Sequence, residues 1–203
     1  ADPRAIIPNL KVEDDKPDLI DRLLTKLAEW SIRFTPVAGI DPPDGLLLDA
    51  SGCSHLWGGE SAYLDAIVNR FCKRGYDVRA AMACTPGVAW AVARYGKEPL
   101  VVPDGFHLEA LLPLPPEALR LEPETAERLH KLGLHRIGQF IAMPRSSLRR
   151  RFGEYLLSRL DMALGREEEL IKPVQLIEPY HERLPCMEPI VTSTGIEIAL
   201  KQL

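Results

Sequence analysis

Three sets of reactive side chains stand out in this sequence. The first is a pair of carboxylates, Asp44 and Asp49, at the two ends of the apolar run Gly45-Leu46-Leu47-Leu48. Carboxylates gathered at a strand end can hold divalent cations, and two such ions about 4 Å apart serve phosphoryl-transfer chemistry. Their neighbours also fit plainer roles, Asp44 as a turn residue before Gly45 and Asp49 as a cap on the following loop. The second set is Arg145, Arg149, Arg150, Arg151, Arg159 and Arg166. These cations suit phosphate groups, or equally a solvated helix surface with ion pairs to Glu154 and Asp161. The third set is four cysteines, Cys53, Cys72, Cys84 and Cys186, with five histidines. The cysteine spacings are long and irregular, and the histidines form no ligand-type pattern. Reduced thiols and no bound metal are therefore expected. His55 and Trp57 read as filling a loop packed on a sheet, and His107, His130 and His135 stay unassigned.

The elements that must position these groups follow from periodicity. Asp18 is placed to cap a helix through about Trp30, with Leu19, Leu23, Leu24, Leu27 and Trp30 at helical spacing. Ile32 to Val37 alternates like a strand interrupted by Pro36, and Leu46 to Asp49 is a short buried strand. The turn Asp41-Pro42-Pro43-Asp44-Gly45 makes the two a hairpin. A helix from about Glu60 to Arg74 stops at Gly75, and Val78 to Ala83 reads as a strand. Thr85 is a natural N-cap and Pro86 a first helical residue for a helix to Tyr95; Leu100 to Val102 is a further strand. Two βα units on an α/β sheet are expected over the first 103 residues, within a unit that ends at residue 107.

From Leu108 the pattern is helical only, with Pro113, Pro115 and Pro116 marking the change. Helices are expected at about 123–132, 137–142, 146–152 and 154–164. Each is too short to persist alone, so residues 108–166 must pack as one small all-α unit. Residues 167–179 read as a linker. Over 180–203 a strand from His181 to Ile190 and a helix after Thr194-Gly195 begin a third unit. The fold class is α+β.

Composition sets outer bounds. The chain has 203 residues, of which 46% are hydrophobic and 27% charged, with a net charge of −4. That is enough apolar material for a packed core, which excludes a disordered tail. No apolar run approaches the ~20 residues of a membrane span, and no secretory leader is visible, so a cytoplasmic protein without membrane contact is expected. The net charge conceals an asymmetry. Residues 1–65 carry 6 basic and 12 acidic groups, 66–119 carry 6 and 5, 120–166 carry 10 and 5, and 167–203 carry 3 and 7. The one strongly basic segment is the all-α unit, flanked by acidic ones.

Two stretches carry a family resemblance. One is Arg33-Phe34-Thr35-Pro36 followed by the run from Asp41 through Gly52 to Glu60. The other is Glu124-Thr125-Ala126-Glu127-Arg128-Leu129 with Leu132-Gly133-Leu134 and Ile137-Gly138-Gln139-Phe140. Together they resemble the Y-family of translesion DNA polymerases, and more narrowly its ImuB-like, polymerase-like mutagenesis branch. The resemblance implies a palm over 1–107 lacking its N-terminal strand and fingers, a helix–hairpin–helix thumb over 108–166, and the start of a little finger.

It also implies an eroded catalytic centre. An active palm carries an Asp-Glu pair before its Leu-Asp-Val-Thr-Gly turn. Alignment on Leu48-Asp49-Ala50-Ser51-Gly52 puts that pair at Asp44 and Gly45, and Pro42-Pro43 where the family has Ser-Ile. The acid is kept once and lost once. In the thumb, the family's Gly-Ile-Gly-Pro falls on Arg120-Leu121-Glu122-Pro123, which sets a carboxylate where a phosphate would lie. The second turn, Gly133-Leu134-His135-Arg136, keeps its glycine and gains a cation. The resemblance therefore implies a catalytically inactive adapter in DNA repair, SOS mutagenesis and translesion synthesis, with weak, non-specific DNA binding. The DNA-binding candidates are Gly133, Arg136, Gly138, Arg145, Arg149, Arg150 and Arg151. It implies partners too, namely a sliding clamp, an ImuA-like protein and a replicative-type polymerase, with contacts outside these residues. No cofactor is expected. The alternative is an active polymerase using Asp44 with ligands N-terminal to this sequence, in which case Mg²⁺ would be required. A third possibility is a DNA-binding module without polymerase ancestry.

Overall fold

A computed structural model describes residues 16–97, 100–175 and 189–202. Helix α1 spans Pro17–Ser31. Pro17 opens it, because a first-turn residue needs no N–H partner, and Asp18 sits inside the first turn rather than capping it. Leu24 and Ala28 are buried, whereas Leu19 and Leu23 of the expected apolar face are exposed.

The hairpin is present but shifted. Strand β1 is Ala38–Asp41 and β2 is Gly45–Leu48, paired antiparallel from Ala38 opposite Leu48 to Asp41 opposite Gly45. The expected strand over 32–37 is a turn, closed by Phe34 N–H donating to Ser31 O at 2.9 Å. Pro36 has no N–H for a ladder, and this stretch joins the end of the hairpin through the buried Thr35 hydroxyl, which donates to Asp49 O, and through Asp49 N–H donating to Val37 O at 3.0 Å. The outer edge of β1 is covered by residues read as linker: Gly39 bridges Pro173, and Val174 N–H donates to Ala38 O at 2.8 Å. A Cβ on Gly39 would lie 2.7 Å from Lys172 O, so only glycine admits this approach.

Behind the hairpin lies helix α2, Glu60–Cys72. Its Tyr63, Ile67 and Phe71 form a core with Phe34, onto which Trp30, Trp57, Leu46 and Leu48 pack. Trp30 meets Phe34 and Phe71 edge-on at 5.4 and 5.0 Å, the geometry that ring quadrupoles favour. Trp57 thus packs as expected, while His55 faces solvent.

The second pair of expected strands is reduced to one contact. Met82 makes an isolated parallel bridge to Val101, through Met82 N–H to Leu100 O at 2.9 Å and Val102 N–H to Met82 O at 2.8 Å. Among the described residues the sheet has only the two hairpin strands. Residues 78–83 include Ala80, Ala81 and Ala83, which have low strand propensity, and they line a wide groove of about 1840 Å³ together with β2.

Helix α3, Pro86–Tyr95, forms as expected, with the Thr85 hydroxyl accepting from Val88 N–H at 3.2 Å. The same hydroxyl donates to Ala163 O at 2.9 Å, tying α3 to the helices that follow. These are α4 (His107–Leu111), α5 (Pro123–Lys131), α6 (Arg145–Phe152) and α7 (Glu154–Ala163). The expected helix at 137–142 is a single 3-10 turn, Ile137–Gln139. One core runs from Val88 and Val92 of α3 through Leu111, Leu129, Phe140 and Leu157. It spans both sides of the boundary expected at residue 107. Each such side chain contributes about 1.5–3 kcal/mol on burial. Helix α8, Ser193–Gln202, starts a turn earlier than expected, with the Thr192 hydroxyl accepting from Gly195 N–H at 3.1 Å. The strand expected over 181–190 falls largely outside the described residues. Among the described residues no helix is long and apolar enough to cross a membrane.

Candidate functional site

The hairpin presents its carboxylates to α3. Trp90 and Arg94 stand one helical turn apart, on the face turned to the β1–β2 turn. Arg94 donates to Asp44 twice, Nη1 to Oδ2 at 3.2 Å and Nη2 to Oδ1 at 2.6 Å. Trp90 Nε1 donates to Asp41 Oδ2 at 2.6 Å. Asp41 also lies 3.9 Å from Arg94 and 4.0 Å from Arg120, and both guanidinium groups lie over the Trp90 ring, at 4.6 and 5.4 Å. Hydrogen bonding from Arg94 holds the Asp44 carboxyl below its ordinary range. Asp49 is held low by Ser51, whose N–H donates to Asp49 Oδ1 at 2.9 Å, which is the loop-capping arrangement expected for it.

Gly45 sharpens the chemistry. A Cβ placed there would lie 3.0 Å from Asp41 Oδ2 and 3.3 Å from Arg94 Nη2. An acidic side chain at this position would therefore crowd the present ion pair, and Asp41 and Arg94 would have to yield by a few tenths of an ångström. A divalent cation at Asp44 would have to displace a bidentate guanidinium, a strong partner for a carboxylate. Trp90 and Arg94 were not singled out in the sequence, and Asp41 and Arg120 entered there only as a turn residue and a motif position. The four-residue spacing of Trp90 and Arg94 is the one local signal that both serve one face.

The first turn of the helical unit is also turned inward. Arg120 adopts the left-handed conformation, φ +55°, at a position where the family pattern has glycine. Its side chain donates from Nη2 to Glu169 Oε2 at 2.7 Å, and Arg159 shares that carboxylate, donating from Nη1 to Oε1 at 3.2 Å. Burial, then the neighbouring Arg159 charge, holds the Arg120 guanidinium below its ordinary pKa. Just beyond, exposed Glu122 and Glu124 flank Pro123 at the start of α5. Two negative charges thus stand at a helix N-terminus that would otherwise attract phosphate.

The remaining candidates divide. Gly133 is exposed with φ +78° and open space around its α-carbon, and its N–H donates to His130 O at 2.9 Å. Gly138 N–H donates to Leu112 O at 3.0 Å, and a Cβ there would lie 3.0 Å from that oxygen, so Gly138 serves packing. Arg145 is paired with Asp161 by two hydrogen bonds, which Arg166 approaches at 3.5 Å, and Arg149 with Glu154 at 2.9 Å. Arg136, Arg150 and Arg151 are exposed and make no ion pair among the described residues. The ion pairs foreseen for this surface thus neutralise part of the cluster and leave part of it available. His130 and His135, unassigned in the sequence, stack at 5.1 Å, with Nδ1 atoms 2.9 Å apart and His130 Nε2 2.6 Å from Glu117.

No protein-family model matches the chain. The fold is shared with DinB from Sulfolobus solfataricus, at a TM-score of 0.65 and 15% identity, covering 84% of this chain and 52% of that one. It is the fold of a Y-family polymerase. Protein ImuB of Caulobacter vibrioides, in strains NA1000 / CB15N and ATCC 19089 / CIP 103742 / CB 15, is 43% identical over 190 residues, or 94% of this chain. Over nearly all of its length the chain is thus similar to ImuB, in keeping with an ImuB-like fragment of the Y-family, and it spans 42% of the length of those relatives.

Proposed function

We propose that this chain is the palm and thumb of a polymerase-like adapter that performs no nucleotidyl transfer of its own. In this role it holds DNA weakly and without sequence preference during DNA damage-induced mutagenesis and translesion synthesis. It brings together the sliding clamp, an ImuA-like protein and a replicative-type polymerase that does the chemistry. The turns at Arg120–Pro123 and Gly133–Arg136 are the remnants of a helix–hairpin–helix, in which backbone contact to phosphate has given way to side-chain cations. Arg136, Arg150 and Arg151 are the groups offered to the phosphate backbone.

One observation carries the reading. Arg94 is seated on Asp44, and Gly45 stands beside it where a second acid would be needed. Two metal ions need several converging carboxylates, and the two this hairpin supplies are already engaged, Asp44 by Arg94 and Asp41 by Trp90. Primer extension by the full-length protein with magnesium is the test. No template-dependent incorporation is expected, with Asp44→Ala identical to the parent. Incorporation that Asp44→Ala abolishes would establish the active-polymerase alternative instead.

A further inference from the structure

We propose that Cys84, Asp104 and His107 form a binding site for one zinc-class divalent cation. The three residues are separated in sequence, and tertiary structure assembles them. The parallel bridge between Met82 and Val101 sets two chain segments side by side. Cys84 follows that bridge on one segment, just before the N-cap of α3, and Asp104 follows it on the other. A tight turn, closed by Phe106 N–H donating to Pro103 O at 3.1 Å, then brings round His107 at the first position of α4. One ligand atom from each residue lies within 4.8 Å of the other two.

The donor set selects the ion. A thiolate, an imidazole and a carboxylate together suit a borderline-soft cation that accepts S, N and O, which is zinc chemistry rather than magnesium chemistry. Zinc bonds of about 2.0–2.3 Å in tetrahedral geometry set ligand atoms about 3.5 Å apart, leaving a fourth position to water. The Cys84 sulfur already lies 3.3 Å from Asp104 Oδ1. Cys84 and Asp104 are exposed, so their side chains are free to make the remaining adjustment and an ion has an entry path. A second observation points the same way. Nδ1 of His107 is buried and has no hydrogen-bond partner among the described residues, a cost that a bound ion or an ordered partner beside it would remove. The thiol is held protonated by burial and by the Asp104 carboxylate, so binding must expel its proton to solvent as the sulfur–metal bond forms. The ion would clamp the start of α3 to the turn that leads into the helical unit.

The test uses the purified chain, stripped with a chelator and titrated with Co²⁺ alone. One cobalt per chain is expected, with a thiolate-to-cobalt charge-transfer band and release of about one proton at neutral pH. Cys84→Ser should abolish the band, and His107→Gln should weaken binding at least about tenfold. A variant lacking Cys53, Cys72 and Cys186 should keep both band and stoichiometry. Circular dichroism of each variant confirms that it is folded. The proposal is overturned if the parent chain gives no thiolate band. It is equally overturned if the band survives Cys84→Ser, which would assign it to another cysteine.

Discussion

At the hairpin, Asp41 and Asp44 are matched by Arg94, Arg120 and Trp90. On the surface of the helical unit, Arg145 and Arg149 are matched by Asp161 and Glu154, but Arg136, Arg150 and Arg151 make no ion pair among the described residues. The two regions differ in how completely their charges are matched within the fold. At the hairpin, the Asp44 carboxylate is satisfied by a side chain of the same fold. On the arginine surface, internal pairs engage only part of the cluster, and the proposed salt-sensitive hold on nucleic acid would fall to the rest.

The largest expected effect falls on the inward-facing arginine that joins the two regions. Arg120→Ala removes the charged bond to Glu169 and the approach to Asp41 while keeping a left-handed backbone. It should cost about 2–3 kcal/mol of unfolding free energy in urea, because a half-buried carboxylate loses a partner. If stability is unchanged, the hairpin and the helical unit are not coupled through this residue.

Gly45→Glu comes next, at about 1–2 kcal/mol, because its Cβ crowds Asp41 and Arg94. Restoring the family's acid this way should yield no primer extension. Gain of extension would mean that the Arg94 pair gives way to metal.

The third test sits on the other region. Arg150→Ala with Arg151→Ala should flatten the dependence of log K for duplex DNA on log salt by about 1.8, if each meets one phosphate. Arg145→Ala with Arg149→Ala should change that slope much less, since both are already paired. Equal slopes for the two double variants would erase the distinction between paired and unpaired arginines.

The smallest effect is the pH dependence of Asp44. Its folded pKa is depressed below the ordinary 3.8 by Arg94, so its contribution is present above that value and is lost as pH falls through the lower folded value. The pair is largely exposed, which limits it to about 0–1 kcal/mol. Asp44→Asn should therefore be slightly less stable than the parent at neutral pH, and the gap should close below about pH 4 in acid-titrated melts. A gap that persists in acid would assign the effect to shape rather than charge.

Much of the local structure was legible from residue patterns. Thr85-Pro86 predicts the start of α3, Gly75 the end of α2, and Pro42-Pro43-Asp44 the hairpin turn, because capping, positive φ and missing N–H groups act within a few residues. The strand readings at 32–37 and 78–83 failed for a shared reason. Strand formation needs a neighbour to complete its hydrogen bonds, and propensity does not reveal whether that neighbour arrives. The same limit hid the Asp44–Arg94 pair, whose members lie 50 residues apart.

From the sequence alone came the family resemblance, a glycine at position 45 where that resemblance implies an acid, the segregation of positive charge into residues 120–166, and the α+β class. All of these are properties of residue type and order. Only the tertiary structure decided which charges remain available, because that depends on which distant side chains meet. It placed Arg94 on Asp44, turned Arg120 toward Glu169, and set Cys84 beside Asp104 and His107. Electrostatic interaction falls off with distance in space, not along the chain, so partners of this kind exist only once the core has closed.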